Sequence, residues 1–158
     1  INDRNELLIP KSKMKKLRGY IFSRSFLGER VPQNVQNLVI RDYCKQNGYQ
    51  YLLSSVEYAM EDSNLMLNSL IKEIDKITGI VLYSYFQLPK NKEDRIKILN
   101  IIIKKKKSLH FALENSIVKN IDDANKINEI LNLKKFIMHS NFYNSTKNYL
   151  VNNLKTYE

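Results

Sequence analysis

GYIFSRSFLGERVPQNVQNLVIRDYC, residues 19–44, sets a short apolar run against a cluster of Ser and Arg, then restarts as an amphipathic pattern behind a proline. Gly19 to Ser23 has the length of a strand. Pro32 suits the first position of a helix, where its missing N–H costs nothing, and Val35, Leu38, Val39 and Tyr43 then fall on one face. Asn47 and Gly48 close that helix. The stretch is one strand-loop-helix unit, and the chain repeats its plan. A second run, Tyr49 to Ser54, leads through SVEYAMED to a helix capped by Asp62 or Ser63 and buried through Leu67, Leu70, Ile71 and Ile74. The third run, Gly79 to Ser84, is short, β-branched and bounded by turn residues, and reads as a central strand. A helix from about Lys92 to Lys106 and a fourth run, Ser108 to Leu113, follow. Helical patterns over about Asp122 to Met138 and Asn141 to Leu154 complete the chain.

Strands alternating with helices of about ten or more residues imply right-handed crossovers and a parallel sheet. The expected fold is α/β: an open three-layer αβα sandwich, with a four-stranded parallel sheet of order 2-1-3-4 and extra C-terminal helices from about residue 122. Flavodoxin-like and recombinase-like domains have this plan. Residues 1–17 read as a basic N-terminal arm and 18–158 as a single domain, with only four glycines and three prolines to supply linkers. The polar, basic start has no apolar core of signal-peptide length, and no run reaches the ~18 apolar residues of a membrane span. A lone Cys44 permits no intrachain disulfide and reads as a small buried hydrophobe. The expected location is the cytoplasm.

Twenty-six Lys and Arg against sixteen Asp and Glu give a net charge of +10. Such a chain attracts polyanions, phosphorylated small molecules or anionic membrane surfaces, and composition does not choose among them. The cations are spread. Lys104 to Lys107 close a helix, where they complement its dipole, and Lys11 to Arg18 precede the first strand.

Ligands of open parallel sheets bind beyond the carboxyl ends of the strands, where strand order switches. Here that point lies between the first and third strands. Arg24 and Arg30 can fork onto a phosphate or carboxylate, helped by amides at the helix start near Gln33 and Asn34, or can pair with Glu29, Asp42 or Glu57 as structural links. Ser25, Tyr58, Ser84 and Gln87 belong to the same loops and complete the candidate binding set. Glu57 and Glu114, at strand ends where burial raises a carboxylate pKa, are the acid–base candidates, with capping or arginine pairing as the competing role. Ser23 is the candidate nucleophile, although no G-x-S-x-G elbow surrounds it. His110 reads as a hydrogen-bonded core residue, and the two histidines and one cysteine form no metal constellation. The single Gly28 makes no glycine-rich phosphate cradle, so no nucleotide cofactor is implied.

Four ordered blocks, GYIFSRSFLGERVPQNVQNLVIRDYC, LLSSVEYAMEDSNLML, GIVLYSYFQLP and LHFALE, together resemble the family of sporadic carbohydrate cluster proteins over roughly residues 18–120. The resemblance implies a small bacterial protein of surface-polysaccharide or nucleotide-sugar biosynthesis. It names a pathway and no reaction. The ligand it suggests is an anionic sugar, sugar phosphate or nucleotide sugar.

More distantly, the same region is similar to the N-terminal catalytic domain of serine recombinases, whose first strand reads G-Y-x-R-V-S and whose later loop carries D-R-x-x-R. Gly19 and Tyr20 match, Gln33 and Gln36 stand at the helix start, and the nucleophile falls near Ser23 or Ser25, out of register by one. Tyr85-Phe86-Gln87-Leu88-Pro89 replaces the arginine motif. Without those guanidiniums a pentacoordinate phosphate has no stabiliser, which argues against strand exchange on DNA and against nucleic acid as the partner. Non-catalytic scaffolding or binding within a biosynthetic complex is one alternative, and a recombinase-like nucleic-acid-binding domain without strand exchange is another. Phe142, Tyr143, Tyr149, Leu150 and Leu154 give the last helix a stripe that suits a homodimer.

Overall fold

A computed structural model describes residues 13–139 except Leu27 and Glu29, with side chains described to Lys135. The strands are β1 (Lys16–Phe22), β2 (Gln50–Glu57), β3 (Gly79–Leu82), β4 (Ser108–Phe111) and β5 (Ser116–Val118). The helices are α1 (Gln33–Gln46), α2 (Leu65–Lys72), α3 (Lys92–Lys104) and α4 (Ile121–His139). The sheet order is β2-β1-β3-β4-β5. The first four strands are parallel, in the order the sequence predicts.

The fifth strand corrects the four-stranded expectation: β5 runs antiparallel to β4, pairing Leu109 with Val118 and Phe111 with Ser116. Asn115 turns that hairpin at φ 49°, in the left-handed region that Asn tolerates better than most residues. β1 takes in Lys16 and Leu17, which the sequence assigns to the basic arm, and β2 continues past Ser54 to Glu57.

Two apolar layers close on the sheet. One joins Tyr20, Phe22, Ile80, Leu82, Leu109 and Phe111 to α2, α3 and α4, through residues such as Leu67, Ile74, Leu99, Ile102 and Ile127. The other joins Leu17, Ile21 and Val81 to Ile40, Tyr43 and Cys44 of α1. Burial pushes the Cys44 thiol up to about 11, so it stays protonated and inert at neutral pH.

The buried face of α1 differs from the predicted one. Gln36, Ile40, Tyr43 and Cys44 are buried, whereas Leu38 is 68% exposed and Val35 40% exposed. The helix turns to bring Gln36 inside, because that side chain satisfies backbone groups at the end of β1. Arg95 of α3 is buried with no carboxylate partner among the described residues: its guanidinium donates to Asn128 and Asn132 of α4 and to the carbonyls of Pro89 and Lys90. This ties the loop after β3 to the outer helices.

No helix among the described residues is long and apolar enough to cross a membrane. The predicted helix over 141–154, with its proposed dimer stripe, lies outside the described residues.

Candidate functional site

The carboxyl ends of β1 to β4 converge on a polar network centred on Glu57, the last residue of β2. Its carboxylate is 1% exposed. It accepts from Tyr20 Oη at 2.9 Å, from Ser63 Oγ at 2.9 Å and from the backbone N–H of Tyr58 at 3.0 Å. The N–H groups of Met66 and Leu67, in the first turn of α2, also donate to it, at 3.1 and 3.2 Å. The helix start at Asn64 has no side-chain cap of its own, so Glu57 does the work that the sequence assigns to Asp62 or Ser63. Burial alone would raise its pKa, but these donors outweigh burial and hold it below the usual carboxylate range. Glu57 therefore carries a charge and a structural load.

Arg24 is part of the same brace. One guanidinium nitrogen donates to the carbonyls of Tyr58 and Met60 and the other to that of Ser63, at 2.8–3.1 Å, while the group sits 4.2 Å from the centre of the Phe22 ring. Ser23 Oγ donates to the Glu57 carbonyl at 2.8 Å. Both residues clip the loop after β1 to the loop after β2.

Across β1, Gln36 and Gln87 form a second buried unit, each fully enclosed. Gln36 Oε1 accepts from the Phe22 N–H and from Gln87 Nε2, and its own amide nitrogen donates to the carbonyls of Phe22 and Val31. Gln87 Oε1 accepts from the N–H groups of Tyr83 and Ser84. The sequence places Gln87 among the ligand contacts; in the structure it staples the ends of β1 and β3 and faces no solvent. Gln36, which the sequence assigns no part in the site, was legible only as a glutamine near a helix start.

Ser84 is also fully buried, its hydroxyl donating to the Glu114 carboxylate and accepting from the Phe86 N–H. Glu114 is only partly covered, and burial raises its pKa against the opposing pull of Ser84 and the Tyr85 amide. Of the two glutamates, Glu114 is the one that burial makes easier to protonate, whereas Glu57 is held ionised. Ser25, Arg30 and Asn34 are exposed, as is Tyr58, and they form the open rim of this edge. Phe26 folds the intervening loop back, its ring meeting Phe22 at 5.7 Å and Tyr83 at 5.9 Å edge-on. The candidate set thus divides into a frame, buried at Glu57, Ser84 and Gln87 and half-buried at Ser23 and Arg24, and an accessible rim (Ser25, Arg30, Asn34, Tyr58) bordered by Glu114.

His110, within β4, is 1% exposed, with Nδ1 and Nε2 lying 2.8 Å from Tyr43 Oη and 2.7 Å from Ser108 Oγ. Burial first, then Lys119 and Lys15, hold its pKa down at about 4. It is a neutral core residue.

Among solved structures, the N-terminal catalytic domain of TP901-1 integrase superposes with a TM-score of 0.56 at 14% identity, covering 78% of this chain and 99% of that one. A resolvase family site-specific recombinase from Streptococcus pneumoniae gives 0.54 at 11% identity, covering 88% and 99%. The chain has the fold of recombinase catalytic domains. At such identities the likeness is one of fold, and the sheet edge described above is this chain's own. The expectation against nucleic acid as the partner gains no support from these neighbours, both of which are recombinases. No family model matches the chain, and no curated protein does, so the resemblance to the carbohydrate cluster proteins rests on the four sequence blocks.

Proposed function

We propose that this is a cytoplasmic protein of surface-polysaccharide or nucleotide-sugar biosynthesis that holds an anionic sugar, sugar phosphate or nucleotide sugar on the rim of Ser25, Arg30, Asn34 and Tyr58. The observation that supports this reading is where the four resembling blocks go. Each supplies a carboxyl-end loop, and the side chains of the edge network come from them: Tyr20, Ser23, Arg24 and Gln36 from the first, Glu57 and Ser63 from the second, Ser84 and Gln87 from the third, Glu114 from the fourth. Besides stabilising the strand ends, the network fixes the loops that carry the rim, as presenting set groups to a polar ligand requires. Arg30 supplies the charge, Ser25 and Asn34 the hydrogen bonds, and Glu114 accepts a hydrogen bond or proton from a sugar hydroxyl. Arg24 acts one step back, as the brace that fixes the loop.

A second reading, a nucleic-acid-binding domain without strand exchange, is favoured by the recombinase fold together with the net charge of +10. One experiment separates the two. Thermal shift of the whole chain is measured against sugar phosphates, nucleotide sugars and duplex oligonucleotides near physiological salt, where a ligand at ~100 times its Kd adds ~2.7 kcal/mol. A nucleotide sugar or sugar phosphate is expected to raise the Tm of the parent chain, and Arg30→Ala to abolish the rise while leaving the unliganded Tm unchanged. A response to duplex DNA alone, falling steeply with salt, would replace the carbohydrate reading with the second.

A further inference from the structure

The opposite edge of the sheet, at the amino ends of the parallel strands, holds a cavity of about 270 Å³ lined by Lys15, Lys106, Lys107, Lys119, Thr78 and Ser108. Ile103 supplies its apolar wall, and no carboxylate is among its described lining residues. The four lysines come from three separate places: the residue before β1, the turn between α3 and β4, and the residue after β5. Complementing the dipole at the end of α3 accounts for the middle pair and leaves Lys15 and Lys119 unexplained.

The turn itself is specific. Lys106 adopts φ 54°, a conformation that costs a non-glycine residue, and the N–H groups of Lys106 and Lys107 return to the carbonyls of Ile103 and Ile102. Lys107 Nζ is held by the carbonyl of Ile77 at 2.7 Å, with that of Asp75 at 3.4 Å. Of the described acids nearby, Asp75 pairs with Lys105, and Asp123 accepts the backbone N–H of Lys119. Among the described residues, Lys15, Lys106 and Lys119 have no ion-pair partner. Four lysines and two hydroxyl-bearing residues thus line one small concavity, and an anion with several acceptor oxygens would offset the charge they bring.

We infer that this cavity is a second ligand site, taking the phosphoryl or pyrophosphoryl head of a small molecule. Its volume equals that of about nine waters at ~30 Å³ each, enough for such a head and too little for a whole nucleotide sugar. The site lies across the sheet from Arg30, so the two are separable by mutation.

Calorimetric titration of the full chain with inorganic pyrophosphate, at low salt, tests the assignment. Saturable one-to-one binding is expected, weakened at least about tenfold in Lys106→Gln/Lys119→Gln, since each ammonium lost removes a charge-assisted contact. Lys45→Gln/Lys72→Gln removes the same charge from exposed positions on α1 and α2 and should change the affinity less than about twofold. Because Ser108 both lines the cavity and contacts His110, the His110 ring resonances should move on titration. Absence of binding, equal loss in both double variants, or binding that leaves His110 unmoved would each overturn the assignment. So would tight binding of duplex DNA with none of pyrophosphate.

Discussion

Five donors on Glu57 set a limit on what can stand at that position. Tyr58, Ser63, Tyr20, Met66 and Leu67 all direct N–H or O–H groups at one carboxylate, and no neutral side chain offers four acceptor sites in that geometry. Glu57→Gln turns one oxygen into an amide that faces donors, leaving two or more of them unsatisfied in a buried place. The expected loss is ~3 kcal/mol of unfolding free energy in urea denaturation, against ~1 kcal/mol for Tyr20→Phe, which removes a single bond. If Glu57→Gln costs no more than Tyr20→Phe, solvent must reach the network and the frame is weaker than its hydrogen bonds imply. The sequence placed Glu57 in the loop at a strand's end and left open whether it was catalytic, paired or a cap. That could not be settled from spacing, because its partners Tyr20 and Leu67 lie 37 residues before and 10 after it, and only the crossover brings them together.

At the scale of elements, the parallel core was legible because each strand is a short apolar run between turn residues, β3 most clearly. β5 was not: three residues, Ser116 to Val118, carry no periodicity, and the strand exists because β4 offers an edge. The face of α1 was misread for a related reason, since an apolar period places Gln36 outside, whereas hydrogen bonds to Phe22 and Gln87 draw it in. One close contact between elements was equally invisible. A Cβ placed on Gly79 would collide with the backbone carbonyl oxygen of Ser108, so β3 meets β4 at a distance that admits no side chain there. Gly79→Ala must therefore push the two strands apart at their first paired residues. A destabilisation of about 2–4 kcal/mol is expected, in the range of overpacked cores, well above the usual gain from removing glycine flexibility. Gly48, by contrast, has open space around its Cβ position, and Gly48→Ala should cost only the strain of its φ of 69°. Equal melting temperatures for Gly79→Ala and the parent would show that the sheet breathes at this pairing.

At the scale of the whole molecule, titratable groups sit at both edges of the sheet, and Arg24 and Arg30 share the carboxyl edge with the glutamates. Glu57 and Glu114 sit at the carboxyl edge, and Lys15, Lys106, Lys107 and Lys119 at the amino edge, with His110 in β4 close enough to the lysines for Lys119 and Lys15 to add to the effect of burial on its pKa. This couples stability to pH in a definite direction. In the folded chain His110 stays neutral down to about pH 4, whereas an unfolded histidine takes its proton near 6.5. Between those values the unfolded state binds more protons, so the contribution of His110 is complete above about pH 6.5 and is lost as pH falls toward 4. A tenfold difference in proton affinity between the two states is worth ~1.4 kcal/mol, so the loss attributable to His110 is about 3 kcal/mol. Glu57, held below the usual carboxylate range, contributes in the same sense at more acid pH, and Glu114, whose pKa is raised, contributes oppositely. A bare acid titration mixes all three. The difference between the parent chain and His110→Gln isolates one, because glutamine can still meet Tyr43 and Ser108 but takes no proton. Urea denaturation at intervals from pH 7.5 to 4 should show the parent losing about 3 kcal/mol more than the variant, with the divergence beginning near 6.5. Parallel curves for the two proteins would mean that His110 is protonated in the folded state as readily as in the unfolded one, and that the lysine edge exerts no field on the core.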